Sequence, residues 1–206
     1  MASQITHLVL ADKVYEKLFF RFDKQLFYCG NIFPDIRYLK VIGREQTHFQ
    51  KVTLKEILSE TDPFVAGMKL HSLVDEVLEK FMQAKKVYEL CPPSDYVTQT
   101  YKLYQDEMYY GKITDWKNIS TFLGNFREAK FNIPSEHVNF WYDVMTRYAS
   151  NSPTDESREA VITSIGFPES VAKKMNSDIS LMRGNEKLTQ RLEEFYESFD
   201  KLIHGK

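Results

Sequence analysis

Asp62-Pro63-Phe64-Val65-Ala66-Gly67-Met68-Lys69-Leu70-His71-Ser72-Leu73-Val74-Asp75-Glu76-Val77-Leu78 reads as the opening of a long helix. An aspartate ahead of the first turn accepts from its free N–H groups, and a proline at the first helical position gives up nothing by lacking its own. The helix is expected to span 63–90. At about 100° per residue, His71 falls inside the apolar arc with Val74 and Leu78, and Asp75 falls at its edge between Met68 and Met82. Residues four apart lie on one face, so the imidazole and the carboxylate can reach a common point. A carboxylate turned toward a core needs a cation or a strong set of donors. A metal ion would satisfy both side chains; taken alone, the pair also fits a structural His–Asp hydrogen bond.

On the N-terminal side of this helix, residues 4–21 carry Leu8, Ala11 and Val14, then Leu18 and Phe22, at three- and four-residue steps, which predicts an amphipathic helix with His7 on its apolar stripe. From 22 to 51 the periodicity lapses, Gly30, Asn31, Pro34 and Gly43 intervene, and a long loop is expected that holds Phe27, Tyr28, Ile32 and Phe33. Thr53 with Glu56 forms a capping box for a short helix. Beyond Cys91-Pro92-Pro93, helices are predicted over 95–110, 117–128, 134–149, 154–165, 168–183 and 186–203, separated by Gly111, Pro134, Pro153, Gly166 with Pro168, and Gly184 with Asn185. The expected fold is all-α: a multi-helix bundle in one domain, 1–206, with a metal cleft formed by the N-terminal helices and the long loop. A metal-site half, 1–90, precedes a helical half, 94–206, whose Tyr101, Tyr104, Tyr109, Tyr110, Trp116, Trp141 and Tyr142 are expected to pack.

The 206 residues carry a formal net charge of -2 with both signs interspersed, so no basic stripe points to a nucleic-acid partner. No apolar run approaches the roughly 18 residues of a spanning helix. Asp12, Lys13 and Glu16 interrupt the first apolar stretch before it could serve as a signal peptide, and a cytoplasmic location is expected. Cys29 and Cys91 lack metal-finger spacing and read as free structural thiols.

Three of the five histidines, His7, His48 and His71, are inward-looking and lie in the first 75 residues. Asp35 follows Pro34 in a rigid turn hemmed by bulky apolar groups; it is a further ligand candidate, or else a turn former bonded to its own backbone. Imidazole with carboxylate suits zinc, iron or manganese rather than calcium. Zinc is expected, as one or two ions. Arg37 and Arg44 in the same segment would meet a phosphate oxygen or lie on the surface.

The order Thr6-His7-Leu8, Gly30-Asn31-Ile32-Phe33-Pro34-Asp35-Ile36, Thr47-His48-Phe49 and Gly67-Met68-Lys69-Leu70-His71 through Asp75 resembles the bacterial zinc-dependent phospholipase C superfamily, over roughly residues 5–80. The resemblance implies an all-helical bundle with His48 and His71 on one metal assisted by Asp35, His7 on a second, and Asp75 bridging them. It casts Asp35 also as catalytic base, and it implies a phosphate-ester or phospholipid substrate hydrolysed by a metal-activated water. In the secreted members a mature amino-terminal tryptophan ligates metal, whereas here six residues precede His7. A His-x-x-x-Glu pair completes a further site in those members; His137 is followed four residues later by Trp141, so that site is expected to be missing, and Asp106 and Glu107 are read as a solvated helix face. Two other readings stand beside this one. An HD-type nucleotide phosphohydrolase would be expected to carry an adjacent His-Asp pair, which the chain lacks, and a non-catalytic helical interaction protein would keep the ligands as a vestigial metal site. The oligomeric state is not written in the sequence.

Overall fold

The computed structural model describes residues 2–128 and 130–205; Met1, the first residue of the N-terminal stretch discussed above, lies outside them. Among the described residues there are eleven α-helices and no strand, so the fold is all-α as the periodicity predicts. Helix α1, Gln4–Val14, is not amphipathic. Every residue from Ile5 to Ala11 is buried, because α1 threads between four other helices and has no solvent side. It runs on as a π-helical stretch, Tyr15–Phe19.

The expected loop over 22–51 is mostly helical. Helix α2 spans Lys24–Ile32, a 3₁₀ segment covers Phe33–Leu39, and the short α3 covers Arg44–Thr47. Asp23 starts α2 by accepting from the Leu26 N–H at 2.8 Å. Six consecutive residues of α2, Phe27 to Ile32, are buried, and a helix covered on all sides shows no 3.6-residue pattern. Helix α4, Leu54–Leu58, carries the Thr53–Glu56 capping box, with the Thr53 N–H donating to Glu56 Oε2 at 2.7 Å.

Helix α5, Pro63–Ala84, begins as read: Asp62 accepts from Phe64 and Val65 N–H at 2.8 and 3.3 Å. It stops short of residue 90, where the left-handed Lys86 turns the chain into a 3₁₀ segment, Val87–Leu90. The later helices follow the predicted order closely: α6 Val97–Tyr109, α7 Trp116–Asn125, α8 Ser135–Ala149, α9 Asp155–Ser164, α10 Glu169–Met182 and α11 Glu186–Ile203. Tyr101, Tyr104, Tyr109, Trp116, Trp141 and Tyr142 are all buried in the core, and Tyr110 packs against it. Cys29 and Cys91 are buried free thiols, and burial pushes that of Cys91 up to about 12, which leaves it inert. Among the described residues no helix is long and apolar enough to cross a membrane.

The most extensive helix pairing is that of α2 with α5. It depends on two glycines facing opposite backbones: a Cβ on Gly30 would stand 2.0 Å from the Phe64 carbonyl oxygen, and one on Gly67 would stand 2.1 Å from that of Phe27. Backbone cannot yield as a side-chain tip can, so a single methyl group would prise the helices apart. Gly67→Ala is expected to lower the unfolding free energy by about 3 kcal/mol or more in urea titrations. In the control Gly124→Ala, the new methyl group meets only Thr146 at 3.6 Å; the change is expected to be neutral or to stabilise α7 by up to about 1 kcal/mol. Equal effects of the two substitutions would refute the close crossing.

Candidate metal centre

The α2–α5 crossing aims the first ligand. At its edge the Asn31 side chain donates to the Gly67 carbonyl at 3.3 Å, and the Asn31 carbonyl lies 2.8 Å from His71 Nδ1. A carbonyl only accepts, so Nδ1 carries the proton. Burial lowers the pKa of His71 well below the usual imidazole value, so the ring is neutral and its Nε2 presents a lone pair. His48, at the C-terminus of α3, is held by Thr47. Its Nδ1 lies 2.9 Å from Thr47 Oγ1, whose single proton has three acceptors in reach, His48 Nδ1 and the Pro34 and Arg44 carbonyls at 3.2 and 3.4 Å. Burial, aided by the Arg44 charge, brings the pKa of His48 down to about 3. The segment that follows is fastened to α5 by Phe49 N–H donating to Ser72 Oγ at 3.0 Å.

The two Nε2 atoms are 3.2 Å apart. When Thr47 donates to His48 Nδ1, the bare His71 Nε2 accepts from His48 Nε2–H; in the other His48 tautomer both Nε2 atoms are bare, and a cation between them would satisfy both. His7 adds a third imidazole, stacked on His71 with ring centroids 3.7 Å apart. Both of its ring nitrogens are buried without a hydrogen-bond partner, although Nε2 is 3.4 Å from Asp75 Oδ1. Buried polar atoms in native proteins are almost always satisfied, so His7 points to a missing partner.

Asp75 supplies two differently committed oxygens. Oδ1 accepts from the Ala2 backbone N–H at 2.8 Å and faces His7, while Oδ2 lies 3.7 Å from His48 Nε2, 3.8 Å from His71 Nε2 and 3.5 Å from Arg44 Nη2. Burial pushes its pKa up, but His7 and His71 outweigh this and hold the carboxyl well below the ordinary range. Asp35 is shifted the other way: burial raises its pKa, the Lys102 charge pulls against that, and Asp75 adds to the rise. Asp35 Oδ2 accepts from Gln4 Nε2 at 2.8 Å, and Oδ1 is 3.3 Å from Arg37 Nη2 and 3.9 Å from His48 Nε2.

All five residues read from the sequence as ligands therefore converge. Two overlapping groups, His7 with His71 and Asp75, and Asp35 with His48 and His71, each bring their ligand atoms within 4.8 Å of one another, and these buried His and Asp groups could hold a metal ion. Arg37 and Arg44 are neither free surface residues nor ligands: each sits against one of the two carboxylates. No third group of this kind occurs among the described residues.

Asp106 corrects the solvated-face reading. It is fully buried, accepts from the Thr6 backbone N–H and hydroxyl at 2.8 Å each and from the Tyr148 hydroxyl at 3.1 Å, and so fixes the first turn of α1 that carries His7. Glu107 is occupied by Arg158 and Arg183. Ala2 and Gln4 touch the cluster, and no sequence signal flagged either; the position of Asp106 on the inner arc of α6 could have flagged that residue.

Comparison with protein-family models, with curated proteins and with solved structures finds no match to this chain. The arrangement of ligands is thus the ground for any functional reading.

The neutral histidines have a measurable consequence in chelator. The unfolded chain protonates them near pH 6.5 whereas the folded chain does not, so stability is lost as pH falls below about 6.5, by about 1.4 kcal/mol per pH unit for each such histidine. Asp35 and Asp106, with raised folded values, work in the opposite sense at lower pH. Urea unfolding between about pH 6.5 and 5 should give His48→Gln a slope shallower than the parent by about one proton. Identical slopes would show that His48 is charged in the fold.

Proposed function

We propose that this chain is a metal-dependent phosphoric ester hydrolase, akin to the zinc-dependent phospholipase C superfamily that its motifs resemble. The observation that supports this most is the convergence of the buried His7, Asp35, His48, His71 and Asp75, with the His48 and His71 Nε2 atoms 3.2 Å apart and the two-sided Asp75 beside them. Nitrogen with carboxylate oxygen is a borderline donor set, which favours zinc over calcium or magnesium and leaves iron and manganese as competitors. Asp35, His48 and His71 with Asp75 Oδ2 would hold one ion, and His7 with Asp75 Oδ1 a second, Asp75 joining the two. Such an ion, when bound, lowers the pKa of a water molecule and offsets charge on a phosphoryl oxygen.

The chain's own residues divide the remaining work. The environments of the two carboxylates push their proton affinities apart, a pattern associated with separate acid–base roles. Asp75 stays ionised as a ligand, and Asp35, the more basic, takes up a proton. Arg44, half exposed beside Asp75 in an open groove that also reaches His48 and Glu79, is placed to meet a phosphate oxygen from outside. Arg37 orients Asp35.

Plasma mass spectrometry on chelator-free protein should find about one to two equivalents of zinc, iron or manganese. His71→Ala and Asp75→Ala should keep their helix content and lose most of that metal. On the metal-loaded parent, turnover of a phosphodiester panel is expected, falling at least about 10²-fold in Asp35→Asn. A parent that remains metal-free when all three ions are supplied would refute the reading.

A further inference from the structure

Leu73, Glu76, Val77 and Lys80 recur at three- and four-residue steps along one face of α5, and all four line an open trough of about 630 Å³. From Leu73 to Lys80 the helix rises about 10 Å, or two turns. Leu54 and Leu58 of α4 and the last residue of α11, Ile203, complete the apolar lining. Leu54 and Leu73 are buried beneath it, Val77 is half-buried, and Leu58 is 37% exposed. Lys51, Lys55, Lys80 and His204 stand exposed around the trough, so an occupant keeps one side in water. Sites for small molecules enclose most of the ligand surface, which a trough of this shape does not do. An amphipathic helix, by contrast, buries one apolar stripe and leaves its other face solvated.

The charge around the trough is one-sided. Its lining holds a single carboxylate among the described residues, Glu76, and Lys80 already pairs with it at 2.6 Å. Lys51 and Lys55 form no ion pair among the described residues. Arg21 forms none either; its guanidinium donates to the Leu58 and Glu60 carbonyls. Solvated cations are ordinary on a surface, but here three of them surround an apolar stripe in a chain whose net charge is -2. Complementary charge at the edge of an interface selects the partner and its orientation. The trough also runs into the groove at the mouth of the cluster, since Lys51 and Glu76 line both.

We propose that this trough docks an acidic amphipathic helix of a partner protein. Apolar side chains spaced i, i+3 or i+4, and i+7 match the two turns of α5 and enter between Leu58 and Val77, while flanking carboxylates meet Arg21, Lys51 and Lys55. The docked helix lies beside the mouth of the candidate metal centre. None of the five candidate ligands lines the trough, so the docking is independent of the hydrolase reading.

The test is fluorescence anisotropy of the full chain, in chelator, with three stapled alanine-rich helical peptides. The first carries leucines at i, i+4 and i+7 flanked by glutamates, the second flanks the same leucines with lysines, and the third keeps the glutamates but spreads the leucines around the helix. Micromolar binding is expected for the first, and binding at least about tenfold weaker for the other two. Raising the salt from about 0.05 to 0.5 M should weaken the first by about fivefold or more, because exposed charges are screened. Leu58→Glu should remove most of the binding with the melting temperature kept. Lys55→Glu should weaken the glutamate peptide and strengthen the lysine one, a reversal that a loss of structure cannot produce. Absence of binding overturns the proposal, as do equal binding of the first two peptides, indifference to leucine placement, and an unchanged Leu58→Glu. Co-sedimentation with anionic phospholipid vesicles in place of peptide binding would overturn it as well and give the trough to a membrane surface.

Discussion

Two backbones in contact, α2 against α5 through Gly30 and Gly67, set the geometry on which the cluster depends. Close crossing brings the Asn31 carbonyl within 2.8 Å of His71 Nδ1, and that bond determines which nitrogen of the ring is left bare and where it points. The same crossing delivers the chain out of α2 into the 3₁₀ segment, so that Asp35 arrives beside His48. Nothing in the ligands themselves would produce this arrangement. A carbonyl fixing the second nitrogen of an imidazole is the usual outer support of a metal-ligating histidine, and Thr47 plays that part for His48.

Charge balance explains why so many polar groups tolerate burial here. Asp35 and Asp75 are each matched by one arginine, and Asp75 further takes a backbone N–H. What remains without a hydrogen bond is His7, whose Nε2 stands 3.4 Å from Asp75 Oδ1.

The sequence was legible where one face of a helix meets water. α5 and the six helices after it carry amphipathic patterns, and the limits of those six emerge within a few residues, while α5 ends at Ala84, short of the expected 90. It was illegible where a helix is enclosed. α2 lost its periodicity because six residues in a row are buried, and Gly30 and Asn31, residues that usually mark a turn, are there for close approach and for a side-chain bond to Gly67. α1 was read as amphipathic when it is covered all round. The candidate ligands were recognisable because a histidine or aspartate on an apolar stripe is anomalous in itself. Ala2 contributes through its backbone N–H, a contact no side-chain pattern encodes, and Asp106 was misjudged because its three donors are about 40 or 100 residues away in the chain.

The distribution of these long-range bonds gives the C-terminal half a reason to exist beyond packing. The Tyr148 hydroxyl reaches Asp106, which holds Thr6 and with it the turn that carries His7. The Tyr142 hydroxyl reaches the Cys29 carbonyl at 2.8 Å, one residue before the glycine of the crossing. Helix α8 thus holds α2 directly and α1 through Asp106, at the points that aim the cluster, and it does so with buried phenols that add a donor to a carboxylate and to a carbonyl. Ligands placed on separate helices need such a third party, because helix packing alone fixes an axis far better than it fixes rotation about that axis. Here the rotation of α1 is set by a carboxylate from α6, itself braced by α8. The first 90 residues and the helices after them are in this sense one device, with the candidate ligands drawn from the first and their aim from the second.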